Sequence, residues 1–130
     1  MSASLKSVGV VTLFVGDLQR SKTFYRDVFG LPVHFEDQSS AVFKFDNLLI
    51  NLLKTQEAHD LIRPALVADR QSGSRFQFTI WVDDTDAVCS MLGTRGVELL
   101  NGPMSREWGV RTASFEDPDG HIWEIAQNLS

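Results

Sequence analysis

The sequence predicts an α+β fold of two tandem βαβββ modules whose curved sheets enclose a cleft. Three observations carry this. A β-branched and aromatic run, Val10 to Val15, leads into a capped amphipathic helix. The same order of signals returns in the second half, where Thr79, Trp81, Asp84 and Gly96 answer Thr12, Phe14, Asp17 and Gly30; a unit this long and this complete in its helix punctuation reads as one duplicated module. Near the C-terminus, Asp117-Pro118-Asp119-Gly120 has the composition of a tight turn. Pro118 presets φ and Gly120 accepts a positive φ without steric cost, so a hairpin is expected around it.

In chain order, Asp17 caps a helix. Leu18, Ser21, Phe24, Tyr25, Val28 and Phe29 recur at three- and four-residue spacing on one apolar stripe, and Gly30 sits where a left-handed C-terminal cap belongs. Pro32 prevents continuation. Strand-like runs follow at Leu31–Phe35, Ala41–Phe45 and Leu48–Leu53, separated by polar turn residues. Lys54 to Ser74, with Pro64 in its middle and Gly73 near its end, reads as a connection. The second module then offers a strand over Phe76–Val82, a helix capped by Asp84 with Val88, Met91 and Leu92 on its stripe, and strands over Val97–Leu100, Arg111–Phe115 and His121–Ala126. The whole chain, 1–130, is thus read as one domain: a module over about 6–54, a connection over about 55–74 and a module over about 75–128.

Strand parity assigns the faces. Val11, Leu13 and Val15, like Phe76, Phe78, Ile80 and Val82, are uniformly apolar and suit packing beneath the helices. The opposite faces mix polar and aromatic groups: Val10, Thr12 and Phe14 in the first module, Gln77, Thr79 and Trp81 in the second. These are expected to line the cleft. On the last strand Glu124 stands between Ile122 and Ala126, and a carboxylate on an otherwise apolar face is costly to bury unless a metal, a cation or a ligand's donors meet it.

Composition narrows the function classes. With 130 residues the chain affords one sizeable core. Its net charge of −5 and the absence of any strongly basic window argue against nucleic acid and anionic membrane as partners. The single Cys89 excludes an internal disulfide and suits a cytoplasmic location. Val8 to Val15 is too short to span a bilayer, and Asp17 follows it where a signal peptide would offer small residues.

Val11-Thr12-Leu13-Phe14-Val15-Gly16-Asp17-Leu18, Phe24-Tyr25, Phe29-Gly30-Leu31, Val82-Asp83-Asp84 and Asp117-Pro118-Asp119-Gly120-His121 leading into Glu124 together resemble the vicinal oxygen chelate superfamily. That superfamily includes glyoxalase I, extradiol dioxygenases, fosfomycin-resistance enzymes and bleomycin-resistance proteins. The resemblance covers nearly the whole chain. It implies metal ligands at Val10, Asn51, Gln77 and Glu124, yet of these only Glu124 is a strong ligand: Val10 has no donor atom, and neutral amides bind transition metals weakly. No cofactor is therefore expected, and the chain resembles the non-metal branch, whose bleomycin-resistance members hold a drug without transforming it. The resemblance also implies a homodimer.

The leading expectation is a small-molecule-binding protein that sequesters an aromatic or amphipathic compound, with Thr12, Phe14, Asn51, Gln77, Thr79, Trp81, Trp108 and Glu124 as binding residues. The alternative is a lyase, isomerase or dioxygenase of the same superfamily, with Glu124 as metal ligand or general base; a regulatory subunit that kept only the fold is a third. His34, His59 and His121 fall off the ligand positions and read as solvated. Cys89, beside Val88 on a helix, reads as a small, partly buried residue. Asn101 to Val110, with Gly102, Pro103, Met104, Arg106 and Trp108, reads either as a lid over the site or as a surface loop pinned by Trp108 on the core.

Overall fold

A computed structural model describes residues 4–130. The described residues form two compact units, one up to Val67 and the other Ala68–Ser130, each a four-stranded mixed sheet with helical cover. The architecture is α+β, with two tandem βαβββ modules.

In the first unit β1 (Val10–Val15) leads into α1 (Leu18–Phe29), followed by β2 (Val33–Glu36), β3 (Ser40–Lys44) and β4 (Leu49–Lys54). The sheet order is β1-β4-β3-β2, with β1 parallel to β4 and the other pairs antiparallel. Asp17 caps α1 by accepting from the Arg20 N–H at 3.1 Å, and Gly30 ends it at φ 68°, where a side chain would be strained. The face parity follows the apolar pattern. Leu13, Val15, Ala41, Phe43, Ile50 and Leu52 are buried, and Tyr25 of α1 lies over Phe43 with ring centroids 5.9 Å apart. Pro32 holds off the second strand, which starts at Val33 and not at Leu31.

The stretch read as a connection is structured. Lys54 leads directly into α2 (Thr55–Ile62), which buries Ala58 and packs on β4 and β1. Farther on, Arg70–Ser72 forms one 3₁₀ turn capped by Asp69. That turn belongs to the second unit, because Arg70 reaches both the Pro118 carbonyl and the Glu116 carboxylate, while Ser74 Oγ donates to the Gly120 carbonyl at 2.8 Å.

In the second unit β5 (Gln77–Trp81), α3 (Thr85–Thr94), β6 (Asn101–Ser105), β7 (Val110–Glu116) and β8 (Ile122–Asn128) repeat the first, in the sheet order β5-β8-β7-β6. Asp84 caps α3 through the Ala87 N–H at 3.1 Å. Trp123, Ile125, Ala113 and Phe115 are buried on the helix-covered face, and the Phe78 ring packs on Trp123 at a tilt of 32°, centroids 4.6 Å apart.

Two expectations are corrected here. The strand placed at Val97–Leu100 lies at Asn101–Ser105. The Val97 N–H still closes the helix end on the Leu92 carbonyl, and the ladder begins only where the Leu100 N–H reaches Ser114. Gly102 and Pro103 disguised this strand, and they are tolerated because β6 is the sheet edge, where Pro withholds no ladder donor. The Asn101–Val110 segment is therefore neither lid nor long loop. It is an edge strand plus a tight turn, in which the Arg106 N–H donates to the Val110 carbonyl at 2.7 Å. Nor does Trp108 pin it to the core, since its ring is 73% exposed.

Candidate functional site

Each sheet turns one face to its helices and leaves the other open, and seven of the eight expected binding residues lie on the open faces. In the first unit Thr12 and Asn51 are register partners on β1 and β4, and Phe14 lies beside Leu53. The Asn51 side-chain nitrogen donates to Thr12 Oγ1 at 3.4 Å, a weak contact. Its Oδ1 is buried without a partner among the described residues. An orphaned buried acceptor is rare in a folded chain and marks a place where a donor from outside would be favoured.

In the second unit Gln77, Thr79 and Trp81 alternate along β5, opposite Ile122, Glu124 and Ala126 of β8. Thr79 Oγ1 donates to the Glu124 carboxylate at 2.9 Å. No cation stands against Glu124 among the described residues. Trp81 is 65% exposed at the end of β5, beside an open recess of about 370 Å³ lined with Val82, Asp83 and Asn128. A smaller depression of about 210 Å³ on the first unit, edged by the Lys22–Glu36 ion pair, contains none of the expected residues. Trp108 stands apart on the β6–β7 turn, 6.0 Å from the Arg106 guanidinium.

The ligand positions implied for a metal do not suit one. Val10 offers no donor and Asn51 presents one neutral oxygen, while the Glu124 carboxylate is already bonded to Thr79. Among the described residues no group of three or more His, Cys, Asp or Glu side chains is placed to hold a metal ion. A tightly chelated transition metal needs such donors.

Two residues, His121 and Arg106, behave otherwise than their sequence context suggests. His121 is not a solvated histidine: its ring is 19% exposed, with Nδ1 2.8 Å from the carboxylate of fully buried Asp117. Burial disfavours its charged form, but the hydrogen bond and charge of Asp117, with Asp119 behind it, outweigh that and raise its pKa. Asp117 also accepts from the Asp119 and His121 backbone N–H groups, so it organises the β7–β8 turn from within. Arg106, hidden in a segment without strand signals, folds back over the open face and donates to Thr112 and Asn101. Cys89 behaves as expected, for burial and then Asp86 push its thiol pKa up, away from nucleophilic chemistry.

Comparison with known proteins agrees with this architecture. The uncharacterized protein YraH of Bacillus subtilis is 33% identical over 92% of this chain and 96% of its own. The metallothiol transferase FosB of Lysinibacillus sphaericus is 28% identical over 94% of this chain and 82% of its own. The crystal structure of a glyoxalase/bleomycin resistance protein/dioxygenase from Nocardioides superposes with a TM-score of 0.87 at 23% identity, covering 99% of this chain and 87% of that one. The family model that matches residues 7–125 is that of the Glyoxalase/Bleomycin resistance protein/Dioxygenase superfamily, and to this superfamily the chain belongs.

Proposed function

We propose that the protein binds an aromatic or amphipathic small molecule and sequesters it without a catalytic metal. The observation that carries this reading is the open face of the second sheet. There an exposed indole, Trp81, shares a strand with Thr79, whose hydroxyl donates to a carboxylate, Glu124, that no cation among the described residues pairs with. Aromatic surface supplies contact area and a few fixed polar groups supply orientation. In this reading the protein works as a cytoplasmic homodimer.

The test is calorimetric titration with a panel of neutral, cationic and anionic naphthalene derivatives. Saturable binding that falls about thirtyfold in Trp81→Ala supports the reading, because removing an aromatic anchor costs on the order of 2 kcal/mol. Trp81→Phe, which keeps an aromatic ring, should retain most of the affinity. Absence of saturable binding across the panel would sink it.

A second reading is favoured by the metallothiol transferase among the relatives: a lyase, isomerase or dioxygenase in which Glu124 is a general base or the single strong ligand of a metal. Turnover of a thiol-containing or dicarbonyl substrate, abolished by Glu124→Gln, would decide for it.

A further inference from the structure

We propose that Arg106 is a binding residue for a carboxylate, so that the ligand held on the second sheet's open face is an aromatic or amphipathic acid. The inference rests on the small-molecule-binding reading and specifies its ligand. Arg106 closes the β6–β7 turn with its side chain directed back across the sheet. Its Nε–H donates to Thr112 Oγ1 at 2.9 Å and one Nη2–H to Asn101 Oδ1 at 3.2 Å. Both acceptors are neutral. The Trp108 ring lies 6.0 Å from the guanidinium carbon, within cation–π range.

This chain has 17 Asp and Glu against 12 Lys and Arg, so carboxylates are in excess. Arg26, Arg63, Arg70 and Arg111 each stand against one. Arg106, like Arg20 and Arg75, pairs with none among the described residues, but its side chain alone of these three is held by side-chain acceptors there, and its Nη1 has no acceptor among the described residues. Its Nε side is thus anchored by two neutral oxygens, which orient the group without discharging it, and the opposite Nη1–Nη2 edge is left over. That edge is a planar two-donor fork, the geometry that matches a carboxylate bidentately. Thr112 is a register partner of Met104 and Ala126, and Asn101 of Ser114, which in turn faces Glu124 on β8. The fork therefore sits over the same sheet face as Thr79, Trp81 and Glu124, and not over the helices.

The experiment compares 2-naphthylacetate with its neutral analogue 2-naphthaleneethanol by calorimetry at low salt. The wild-type protein should hold the acid at least tenfold more tightly than the alcohol. Arg106→Gln should erase that preference by weakening the acid alone, and Arg106→Lys should keep part of it through charge without the fork. Circular dichroism reports whether each variant is folded, and the wild-type comparison needs no variant. Equal affinity for acid and alcohol in the wild type, or an unchanged preference in folded Arg106→Gln, overturns the carboxylate assignment while leaving the binding reading intact. Failure of both compounds to bind overturns the carboxylate assignment, and failure of the whole panel overturns the binding reading as well.

Discussion

Thr79 Oγ1 donates to the Glu124 carboxylate at 2.9 Å across the parallel β5–β8 pair, so the carboxylate on the open face is fixed in position by a neutral donor. A hydroxyl orients the group, whereas a lysine or arginine there would have neutralised it. Glu124→Gln preserves the shape and still offers Thr79 an acceptor. Its stability should change by less than about 0.5 kcal/mol by thermal melting, the range of surface substitutions. Any cationic aromatic compound of the panel should bind about tenfold more weakly, the loss of one charge-assisted contact, while affinity for an aromatic acid should hold or rise, since a like charge leaves the same face.

The two sheet faces make opposite demands on their tryptophans. Trp123 is 3% exposed and packed against Phe78, whereas Trp81 is 65% exposed on the other face. Trp123→Ala should cost about 3–5 kcal/mol, as large-to-small changes in a core do. Trp81→Ala should stay within about 0.5 kcal/mol of the parent. Chemical denaturation of both variants checks the pair, and a large loss in Trp81→Ala would mean that its indole is structural.

These faces were legible in the sequence because a strand's side-chain period is two and one buried face must be apolar: Leu13 and Val15 declared it, as did the caps Asp17 and Asp84. The edge strand Asn101–Ser105 was not legible. Its Gly102 and Pro103 carry the composition of a loop, and only pairing with β7, a contact made across the fold, makes the segment a strand. Arg106 was obscured by the same error, since a residue placed on a lid cannot be assigned to a sheet face. His121 misled for a different reason. Parity kept it correctly away from Glu124, but nothing local announced that Asp117 would be buried and would take its ring.

Asn51 tests whether polarity on the first sheet serves the fold. Its Oδ1 is buried and unpartnered among the described residues, a state that costs about 1–3 kcal/mol, and its amide nitrogen makes only the 3.4 Å contact to Thr12. Asn51→Leu, similar in volume and without polar atoms, should hold or raise the melting temperature if the amide is not needed for folding. A fall in stability of more than about 1 kcal/mol would show that the amide serves the fold.

Both β1 and β5 are edges of their sheets, and residues near them stay exposed: Val10 is 50% and Phe76 55% accessible. Long uncovered edges with apolar neighbours invite pairing with another chain. Light scattering at micromolar concentration should return twice the 14.6 kDa chain mass. The mass of a single chain would remove the homodimer.

The buried Asp117 gives the fold a pH dependence whose direction follows from His121. The ring's folded-state pKa is raised above its ordinary value near 6.5, with burial opposing and Asp117 prevailing. A group that holds its proton more tightly when folded contributes its full stabilisation below the unfolded pKa, and that contribution fades as pH rises through the folded value. The His121 contribution should therefore be complete below about pH 6 and decline through the neutral range, where the unfolded ring has already lost its proton. His121→Asn keeps a side-chain donor for Asp117 but cannot titrate. Its denaturation midpoint should lose this neutral-range slope, while the parent's retains it. A wild-type stability that instead rises from pH 6 to pH 8, with the rise abolished in His121→Asn, would reverse the sign and place a neutral histidine against Asp117.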